Sequence, residues 1–292
     1  MKETKEMWIA DGWKDYELID TSDGLRLERW GKYTLVRPDP QVIWRGVKQD
    51  PLWKKADGVY SREGGGGKWS RLAVPESWNI GYGSSLNFKI KPMGFKHTGL
   101  FPEQAVNWDW FSELIAKANR PVKVLNLFAY TGGATIAAAA AGASVCHVDA
   151  SKGMVQMAKD NASLSGLADA PIRYIVDDCE KFVEREIRRG NKYDGIIMDP
   201  PSYGRGPGGE VWKLEECIGR FVSSAAKLLS DDPLFFLLNS YTTGLSASTM
   251  GYILNLEIAK TRGGKVVSDE IGLPVRQTGA PLPCGASSRW TK

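Results

Sequence analysis

The segment VLNLFAYTGGATIAAAAAGASVCHVDAS, residues 124–151, decides the fold. It starts with an apolar run, turns at a Gly-Gly pair, continues through an Ala-rich stretch and ends in a second apolar run that closes on Asp149. A short apolar run indicates a buried strand, and an Ala-rich stretch is typical of a helix. The segment therefore predicts one βαβ unit with parallel strands.

The same alternation continues along the chain from Pro121. The apolar runs VKVLNLF, SVCHVD, IRYIV, YDGIIMD and PLFFLLNS alternate with the helical patterns TGGATIAAAAAGA, SKGMVQMAKDNASLSG, CEKFVEREIRRG and EVWKLEECIGRFVSSAAKLL. MGYILNLEIAK predicts one more helix, and KVVSDEIGLPVRQTG with LPCGASSRWT predicts a terminal pair of strands. We expect an α/β fold with a doubly wound parallel sheet, whose ligands bind at the carboxyl ends of the strands.

The first 95 residues have a different pattern, so we predict a smaller β-rich domain at 1–95 ahead of the α/β domain at 96–292. In GLRLERWGKYTLVRP, the pair Gly31-Lys32 is expected to join two short strands. This region holds seven of the eleven tryptophans, which either fill a core or offer faces on which bases stack. The glycine run at 64–67 is expected to be a flexible loop.

The composition is that of an ordinary globular protein, with 42% hydrophobic and 25% charged residues. Because no apolar run approaches the length of a membrane span and the N-terminus does not resemble a secretory signal, we expect a soluble, cytoplasmic protein without membrane contact. The net charge of +4 favours an anionic partner only mildly. The four cysteines form no CxxC pair, so no metal site is expected. They are Cys146, Cys179, Cys217 and Cys284.

The first two strand ends of the α/β part carry features of a nucleotide site. Gly132 and Gly133 allow a sharp turn and a close approach of the backbone to a ligand, although a tight turn without any ligand explains them equally well. Asp149 ends the second strand, 23 positions after Asn126. A doubly wound nucleotide site places the carboxylate that binds the ribose hydroxyls at such a position.

The next two strand ends are polar as well. Asp178, at the third strand end, either accepts a hydrogen bond from an adenine amino group or caps the following helix, and both roles are compatible. The fourth strand ends in Asp199-Pro200-Pro201, a turn with two fixed backbone angles and no N–H groups at its prolines. The first turn lacks the GxGxxG pattern of a dinucleotide site. A cofactor with an adenosine and no phosphates fits what remains, and S-adenosylmethionine has that chemistry.

Taken together, VLNLFAYTGGAT, VDAS, DDC and MDPPSYG resemble the class I S-adenosylmethionine-dependent methyltransferases. They are most similar to the ribosomal RNA large-subunit methyltransferases that modify cytosine C5 or guanine N7. The resemblance covers about residues 96–240, roughly half of the chain. It implies a Rossmann-like, seven-stranded methyltransferase sheet, S-adenosylmethionine as methyl donor with S-adenosylhomocysteine as product, and RNA, in particular ribosomal RNA, as partner.

The resemblance also implies the site residues. KHTGLFPEQAVNWDW is similar to the segment with which that family covers the cofactor. The implied acceptor-side and catalytic residues are Asp199, Pro200, Pro201 and Tyr203. The implied cofactor-binding residues are Phe101, Pro102, Gln104, Asn126, Phe128, Tyr130, Thr131, Gly132, Gly133, Asp149, Ala150, Ser151, Asp178, Cys179 and Asp199. Tyr203 is expected to stack on a base that has left its helix, and the loop GRGPGGE behind it to close over the substrate.

The acceptor atom follows from the residues after the fifth strand. Methylation of cytosine C5 needs a thiolate that adds to the ring first. The family members that act on carbon look as though they carry a cysteine after the fifth strand, in a Ser-Cys pattern. This chain has Ser240 and Tyr241 at that place, and no cysteine. We therefore predict a nitrogen acceptor. Two alternatives stay open: a methyltransferase for a protein or small molecule, and a cofactor-binding protein without turnover. The oligomeric state is not predicted.

Overall fold

The computed structural model describes residues 7–63, 66–94, 96–205, 211–242 and 244–292. Two segments that the sequence predicts to be flexible loops fall partly outside this description. They are the glycine run, of which Gly64 and Gly65 lie outside the described residues, and GRGPGGE, of which residues 206–210 do.

The helices and strands follow one another much as the sequence pattern predicts. The first part of the chain contains β1 (Trp8–Ile9), β2 (Tyr16–Ser22), β3 (Leu25–Trp30), β4 (Tyr33–Pro38), α1 (Leu52–Lys55), β5 (Gly58–Glu63), β6 (Gly66–Leu72), β7 (Trp78–Tyr82), β8 (Leu86–Ile90), a 3₁₀ turn (Pro102–Gln104) and α2 (Ala105–Lys117). The second part contains β9 (Lys123–Leu127), α3 (Gly133–Ala140), β10 (Ser144–Asp149), α4 (Lys152–Leu164), β11 (Ile172–Val176), α5 (Cys179–Arg189), β12 (Gly195–Met198), β13 (Tyr203–Arg205), β14 (Val211–Lys213), α6 (Leu214–Ala226), β15 (Phe235–Ser240), α7 (Ala247–Leu254), a π-helical segment (Asn255–Ala259), α8 (Lys260–Arg262), β16 (Lys265–Pro274) and β17 (Pro281–Thr291).

The chain divides into two compact units, which we call the β unit and the α/β unit. The β unit comprises residues 9–106 together with 272–284, and the α/β unit comprises 107–271 together with 285–292 and the chain before Ile9. The last strand pair thus contributes to both units. The domain limits 1–95 and 96–292 remain a prediction, because a division into compact units does not show which segments form functional domains.

The β unit contains a five-stranded sheet in the order β2-β3-β4-β5-β6, and the predicted β-rich N-terminal region is confirmed. Strands β3 and β4 form an antiparallel hairpin closed by Trp30 and Tyr33, with Gly31 in the left-handed conformation at φ 63°. The loop predicted at the glycine run is wrong for Gly66 and Gly67, because both belong to β6 and pair with β5.

A buried ionic cluster lies in the β unit around Glu28, whose side chain is fully buried. Arg37 donates two hydrogen bonds to the Glu28 carboxylate, at 2.6 and 2.8 Å, and the Tyr16 hydroxyl donates a third at 2.9 Å. Burial alone would raise the pKa of Glu28, but the guanidinium groups of Arg26 and Arg37 hold it at about 2. The carboxylate is therefore charged, and it neutralises charge that is otherwise buried.

The large sheet of the α/β unit follows the predicted doubly wound pattern. Among the described residues it has eight strands in the order β1-β16-β17-β15-β12-β9-β10-β11. Strands β15, β12, β9, β10 and β11 are parallel, and β17 runs antiparallel to β15. Seven of these strands correspond to the predicted sheet. The eighth, β1, has two residues, too few for a sequence pattern to indicate.

Local sequence explains where the helices of this unit begin and end. The Asp178 carboxylate accepts the Lys181 N–H at the first turn of α5, and Gly190 closes the same helix in the left-handed conformation. The helix predicted over EVWKLEECIGRFVSSAAKLL begins only at Leu214, because the three residues before it pair with β13. Within the described part of the chain, no helix combines the length and apolarity that a bilayer span requires.

Replacing Glu28 by Gln should lower the free energy of unfolding by about 3–5 kcal/mol, because the buried Arg37 loses its counter-charge and Arg26 is left with Asp39 alone of its two carboxylates. The matched control is Glu17→Gln, on the neighbouring strand. Glu17 binds Arg29 and Arg276 in a partly exposed pair, for which we expect less than about 1 kcal/mol. Urea unfolding followed by tryptophan fluorescence measures both variants. Equal losses would show that burial of the cluster does not matter.

Candidate active site

The turn after β9 has an unusual backbone conformation. Phe128 and Tyr130 have φ angles of 56° and 51°, and Gly132 has 86°. Side-chain-bearing residues seldom adopt the left-handed region, and such strained conformations concentrate at functional sites. The strand therefore ends abruptly after Leu127, and the chain turns into α3 within five residues.

Asp149 holds this turn from the neighbouring strand. Its carboxylate accepts the Tyr130 N–H and the Ser151 N–H, both at 2.8 Å. Burial raises the pKa of Asp149, while the two backbone hydrogen bonds oppose that shift. The side chain remains partly exposed, and Ala150 and Ser151 beside it are exposed. A carboxylate accepts more than two hydrogen bonds, so Asp149 can bind the turn and two hydroxyl groups together.

Both glycines of the turn have a packing reason to be glycine. A Cβ on Gly132 would come within 2.8 Å of the Ala158 Cβ, and one on Gly133 within 2.7 Å of the Trp108 ring. Packing against α4 and α2 therefore requires glycine here even without a ligand. The sequence is compatible with two reasons for this glycine pair, a tight turn and a close approach to a ligand. The contacts support the tight turn and do not argue against the ligand.

The predicted residues Asn126 and Thr131 lie in the core behind this turn. Asn126 is 2% exposed and donates a hydrogen bond to the Thr135 hydroxyl at 2.9 Å, which in turn lies 2.9 Å from Nδ1 of His147. Thr131 is 1% exposed, and its carbonyl accepts the side-chain amide of Asn161. The side chains of Asn126 and Asn161 thus support the turn from the protein interior, the second through the Thr131 carbonyl.

At the third strand end, Asp178 caps helix α5, which is one of its two predicted roles. Its carboxylate accepts the Lys181 N–H at 2.9 Å, while the adjacent Asp177 forms an ion pair with Arg185. The Cys179 thiol is buried, with Sγ 3.3 Å from the Phe128 N–H that donates to it. Burial raises the pKa of this thiol well above its ordinary value. Its side chain therefore ties α5 to the turn after β9.

The fourth strand end carries the Asp-Pro-Pro turn. Asp199 directly follows β12, and its N–H donates to the Leu127 carbonyl on β9 at 3.4 Å. Pro200 is buried, whereas Tyr203 is 53% exposed. Pro201 is exposed, and its carbonyl accepts the Trp212 indole N–H. Tyr203 thus has the accessible ring that stacking requires, and Pro201 shapes the turn.

A buried polar network holds the strand end beside Asp199. In the register of β12 and β15, the position next to Asp199 is Asn239. The Asn107 amide donates to Asn239 at 3.3 Å and to Ser287 at 2.9 Å, and the Ser287 hydroxyl donates to Asn239 at 2.7 Å. Arg289 donates two hydrogen bonds to the Asn107 carbonyl oxygen. The sequence alone did not identify this network, because its members lie far apart in the chain.

Three predicted cofactor-covering residues belong to the β unit. Pro102 and Gln104 are buried in a 3₁₀ turn, and the Pro102 carbonyl accepts the Trp13 indole N–H at 2.9 Å. Phe101 is half-buried, with its ring centroid 5.3 Å from that of His97. Their role toward a cofactor stays a prediction. Among the residues that the structure describes, His, Cys, Asp and Glu side chains form no group of three that could hold a metal ion.

The buried His147 makes stability depend on pH. Burial lowers its pKa to about 4, below the ordinary value of 6.5, so the unfolded chain binds a proton more readily than the folded one. The contribution of the neutral His147 to the free energy of unfolding is fully present above pH 6.5, and it is lost as the pH drops towards 4. Between pH 7 and pH 5 we expect a loss of about 2 kcal/mol from this group, measured by urea unfolding.

The His147→Asn variant is the comparison for that loss, since Asn keeps a polar atom near Thr135 but does not titrate. Its stability at pH 7 should be lower, and its decline towards pH 5 shallower, than that of the wild type. His97 also has a pKa lowered to about 4 by burial and titrates equally in both proteins. Parallel slopes would contradict the assignment to His147.

Comparison with known proteins identifies the family. The family model described as S-adenosylmethionine-dependent methyltransferase matches residues 60–221, more than half of the chain. A ribosomal RNA large subunit methyltransferase K/L from Shewanella frigidimarina is 34% identical over 145 residues, which are 49% of this chain and 20% of that protein. The corresponding protein of Shewanella loihica is 31% identical over 165 residues, 56% and 22% of the two chains. The matched part therefore spans about a fifth of the length of these curated relatives.

Solved structures extend the similarity over nearly the whole chain. The S-adenosylmethionine-dependent methyltransferase from Agrobacterium tumefaciens superposes with a TM-score of 0.91 at 39% identity, covering 99% of this chain and 94% of that one. A methyltransferase structure from Streptococcus mutans gives a TM-score of 0.72 at 18% identity, covering 97% and 76%, and shares the fold. The chain belongs to the S-adenosylmethionine-dependent methyltransferase family.

Proposed function

We propose that this protein transfers a methyl group from S-adenosylmethionine to a ring or exocyclic nitrogen of a base in ribosomal RNA. One arrangement carries the proposal: β10, β9 and β12 are parallel neighbours, and their carboxyl ends bring Asp149, the left-handed turn and the Asp-Pro-Pro turn to one edge of the sheet. Ligands of doubly wound sheets bind at that edge.

Asp149 and the turn after β9 form the cofactor side of the proposed site. The Asp149 carboxylate, held by two backbone N–H groups, is placed to accept the ribose hydroxyls, and the exposed Ala150 and Ser151 line the same edge. Gly132 and Gly133 leave the end of this turn, where α3 begins, without a side chain. We assign Asp178 and the backbone at Cys179 to the adenine, and Phe101, Pro102 and Gln104 to the cover of the cofactor.

Asp199 and Tyr203 form the acceptor side of the proposed site. When bound, S-adenosylmethionine supplies a methyl group that is activated by a positively charged sulfur. Asp199 then orients the acceptor nitrogen toward that group, and Tyr203 stacks on the face of the base. The base has to leave its helix or lie in a single strand to reach this position. Rate acceleration comes from orientation and exclusion of water rather than from a covalent intermediate.

The thiols of the chain support a nitrogen acceptor. Carbon methylation at C5 needs an accessible thiolate near the acceptor side. Cys146, Cys179 and Cys284 are buried, and burial raises the pKa of each, to about 11 for Cys146. Cys217 is half-buried on α6. At the end of the fifth strand of the α/β part, the chain has Ser240 and Tyr241.

Ribosomal RNA is proposed as substrate because the curated relatives are named ribosomal RNA large subunit methyltransferases. A net charge of +4 suits an anionic partner. Arg45 on the β unit has a side chain that is 93% exposed, with its Nε 3.8 Å from Asp23. Lys48 forms an ion pair with the same Asp23, and Lys91 forms one with Glu76. A cytoplasmic location belongs to the same proposal.

Replacing Asp149 by Asn should weaken binding of S-adenosylmethionine about 10- to 100-fold, because hydrogen bonds to a charged acceptor are worth more than neutral ones. Isothermal titration calorimetry measures the dissociation constant. Asp169→Asn is the matched control: Asp169 is exposed in the loop between α4 and β11, so the affinity of this variant should stay within about threefold of the wild type. Equal weakening in both variants would remove Asp149 from the cofactor side.

Deleting the gene should abolish one nitrogen-methylated base in ribosomal RNA, measured by nucleoside mass spectrometry. The wild-type gene restores the mark, while Asp199→Asn should transfer about two orders of magnitude more slowly, as expected when one orienting group is lost. Loss of 5-methylcytosine instead would refute the nitrogen acceptor. An unchanged RNA profile would refute the RNA substrate and favour a protein or small-molecule acceptor, or a protein that binds the cofactor without turnover.

A further inference from the structure

Trp212 makes a specific contact with the Asp-Pro-Pro turn. Its indole Nε1 donates a hydrogen bond of 2.6 Å to the Pro201 carbonyl. The residue lies on β14, where it pairs in register with Gly204 on β13, directly after the turn. One further tie follows it, since the Leu214 N–H donates to the Ser202 carbonyl at 3.1 Å.

The same ring packs against the turn after β9. The Trp212 ring centroid lies 5.6 Å from that of Phe128 and 5.8 Å from that of Phe221 on α6, and the two Phe rings are 5.7 Å apart. Phe128 is one of the two residues other than glycine that are left-handed in the cofactor-side turn. Trp212 thus contacts the cofactor-side turn with its ring and the acceptor-side turn with its N–H.

Two consecutive prolines create a need for such a contact. Pro200 and Pro201 have no N–H groups, so neither residue can donate a backbone hydrogen bond that would fix the turn. Their carbonyls are the backbone groups that remain, and a hydrogen bond from another segment of the chain to one of them fixes the turn where the prolines cannot. An indole N–H is a donor with a single direction, so it fixes the orientation of the peptide plane that leads from Pro201 to Ser202 and on to Tyr203.

We infer that Trp212 is the positioning residue of the acceptor side: it holds the turn from Asp199 to Tyr203 in the orientation that presents a base nitrogen to the methyl group. The inference rests on the proposed function, and it deepens the acceptor half of that site. Trp212 acts through Pro201 and Phe128 and contacts neither reactant. Loss of the indole N–H alone lowers the rate of transfer and leaves the affinity for the cofactor unchanged, because an aromatic ring still packs against Phe128.

Trp212→Phe tests the hydrogen bond, because the ring stays and the N–H is removed. Hydrogen–deuterium exchange followed by mass spectrometry should show exchange about 3- to 10-fold faster in the peptide covering residues 199–205, as expected for the loss of one hydrogen bond. Trp290→Phe is the matched control, since the Trp290 indole donates to the Gly263 carbonyl at 2.9 Å, in the loop between α8 and β16. It should leave the exchange of residues 199–205 unchanged.

Two further readouts separate positioning from stability. Calorimetric titration of Trp212→Phe with S-adenosylhomocysteine should give a dissociation constant within about threefold of the wild type. The rate of tritium transfer from labelled S-adenosylmethionine to ribosomal RNA from cells lacking the gene should fall about tenfold, with KM for the donor unchanged. A fall in the donor affinity that matches the fall in rate would overturn the positioning role.

The inference and the proposed function can fail separately. Unchanged exchange at residues 199–205 in Trp212→Phe would overturn the inference whatever the substrate. If the wild type transfers no methyl group to the RNA while the variant exchanges faster only in that peptide, the RNA substrate is wrong and the role of Trp212 in holding the turn stands.

Discussion

The hydrogen bond from the Tyr130 N–H to the Asp149 carboxylate joins the two strand ends on which the cofactor side depends. Parallel pairing of β9 and β10 places these ends side by side, and the carboxylate then keeps Tyr130 in a conformation that its own side chain disfavours. Helix α3 begins directly after this turn, and its Ala-rich face packs on the sheet. A shift of Asp149 would therefore move the turn, the start of α3 and the adjacent β12 edge together.

Much of this architecture was predictable from sequence because the central strands are buried on both faces. Such strands read as continuous apolar runs, and parallel connections place their carboxyl ends at one edge. Asp149 and Asp199 are thus recognisable as strand-end groups from the sequence alone. Asp178 could be located as well, and its hydrogen bond to the Lys181 N–H shows the cap that was one of its two predicted roles.

The features that sequence did not indicate depend on pairing between distant segments. The sequence pattern predicts a helix at Trp212, because EVWK is followed without a break by an amphipathic helical pattern. Its pairing with Gly204 makes it part of a strand instead. The left-handed angles of Phe128 and Tyr130 have no local signal, since both residues are ordinary strand formers. Asn107, Ser287 and Arg289 meet around Asn239 through sheet order, and burial of Asn126 follows from its packing behind the turn rather than from its position in a motif.

The large sheet cannot be completed until strand β17 has been synthesised. Phe235 on β15 pairs with Thr291 on β17, 56 residues later in the chain, and residues 272–284 complete the other unit. At an ordinary translation rate the ribosome needs roughly 3 to 11 seconds to make the segment between them. Throughout that interval β15, which is apolar and fully buried in the finished protein, has an open edge on which other chains can pair. Soluble yield should therefore respond to the speed at which the segment from β15 to β17 is translated and to chaperones that cover an exposed strand.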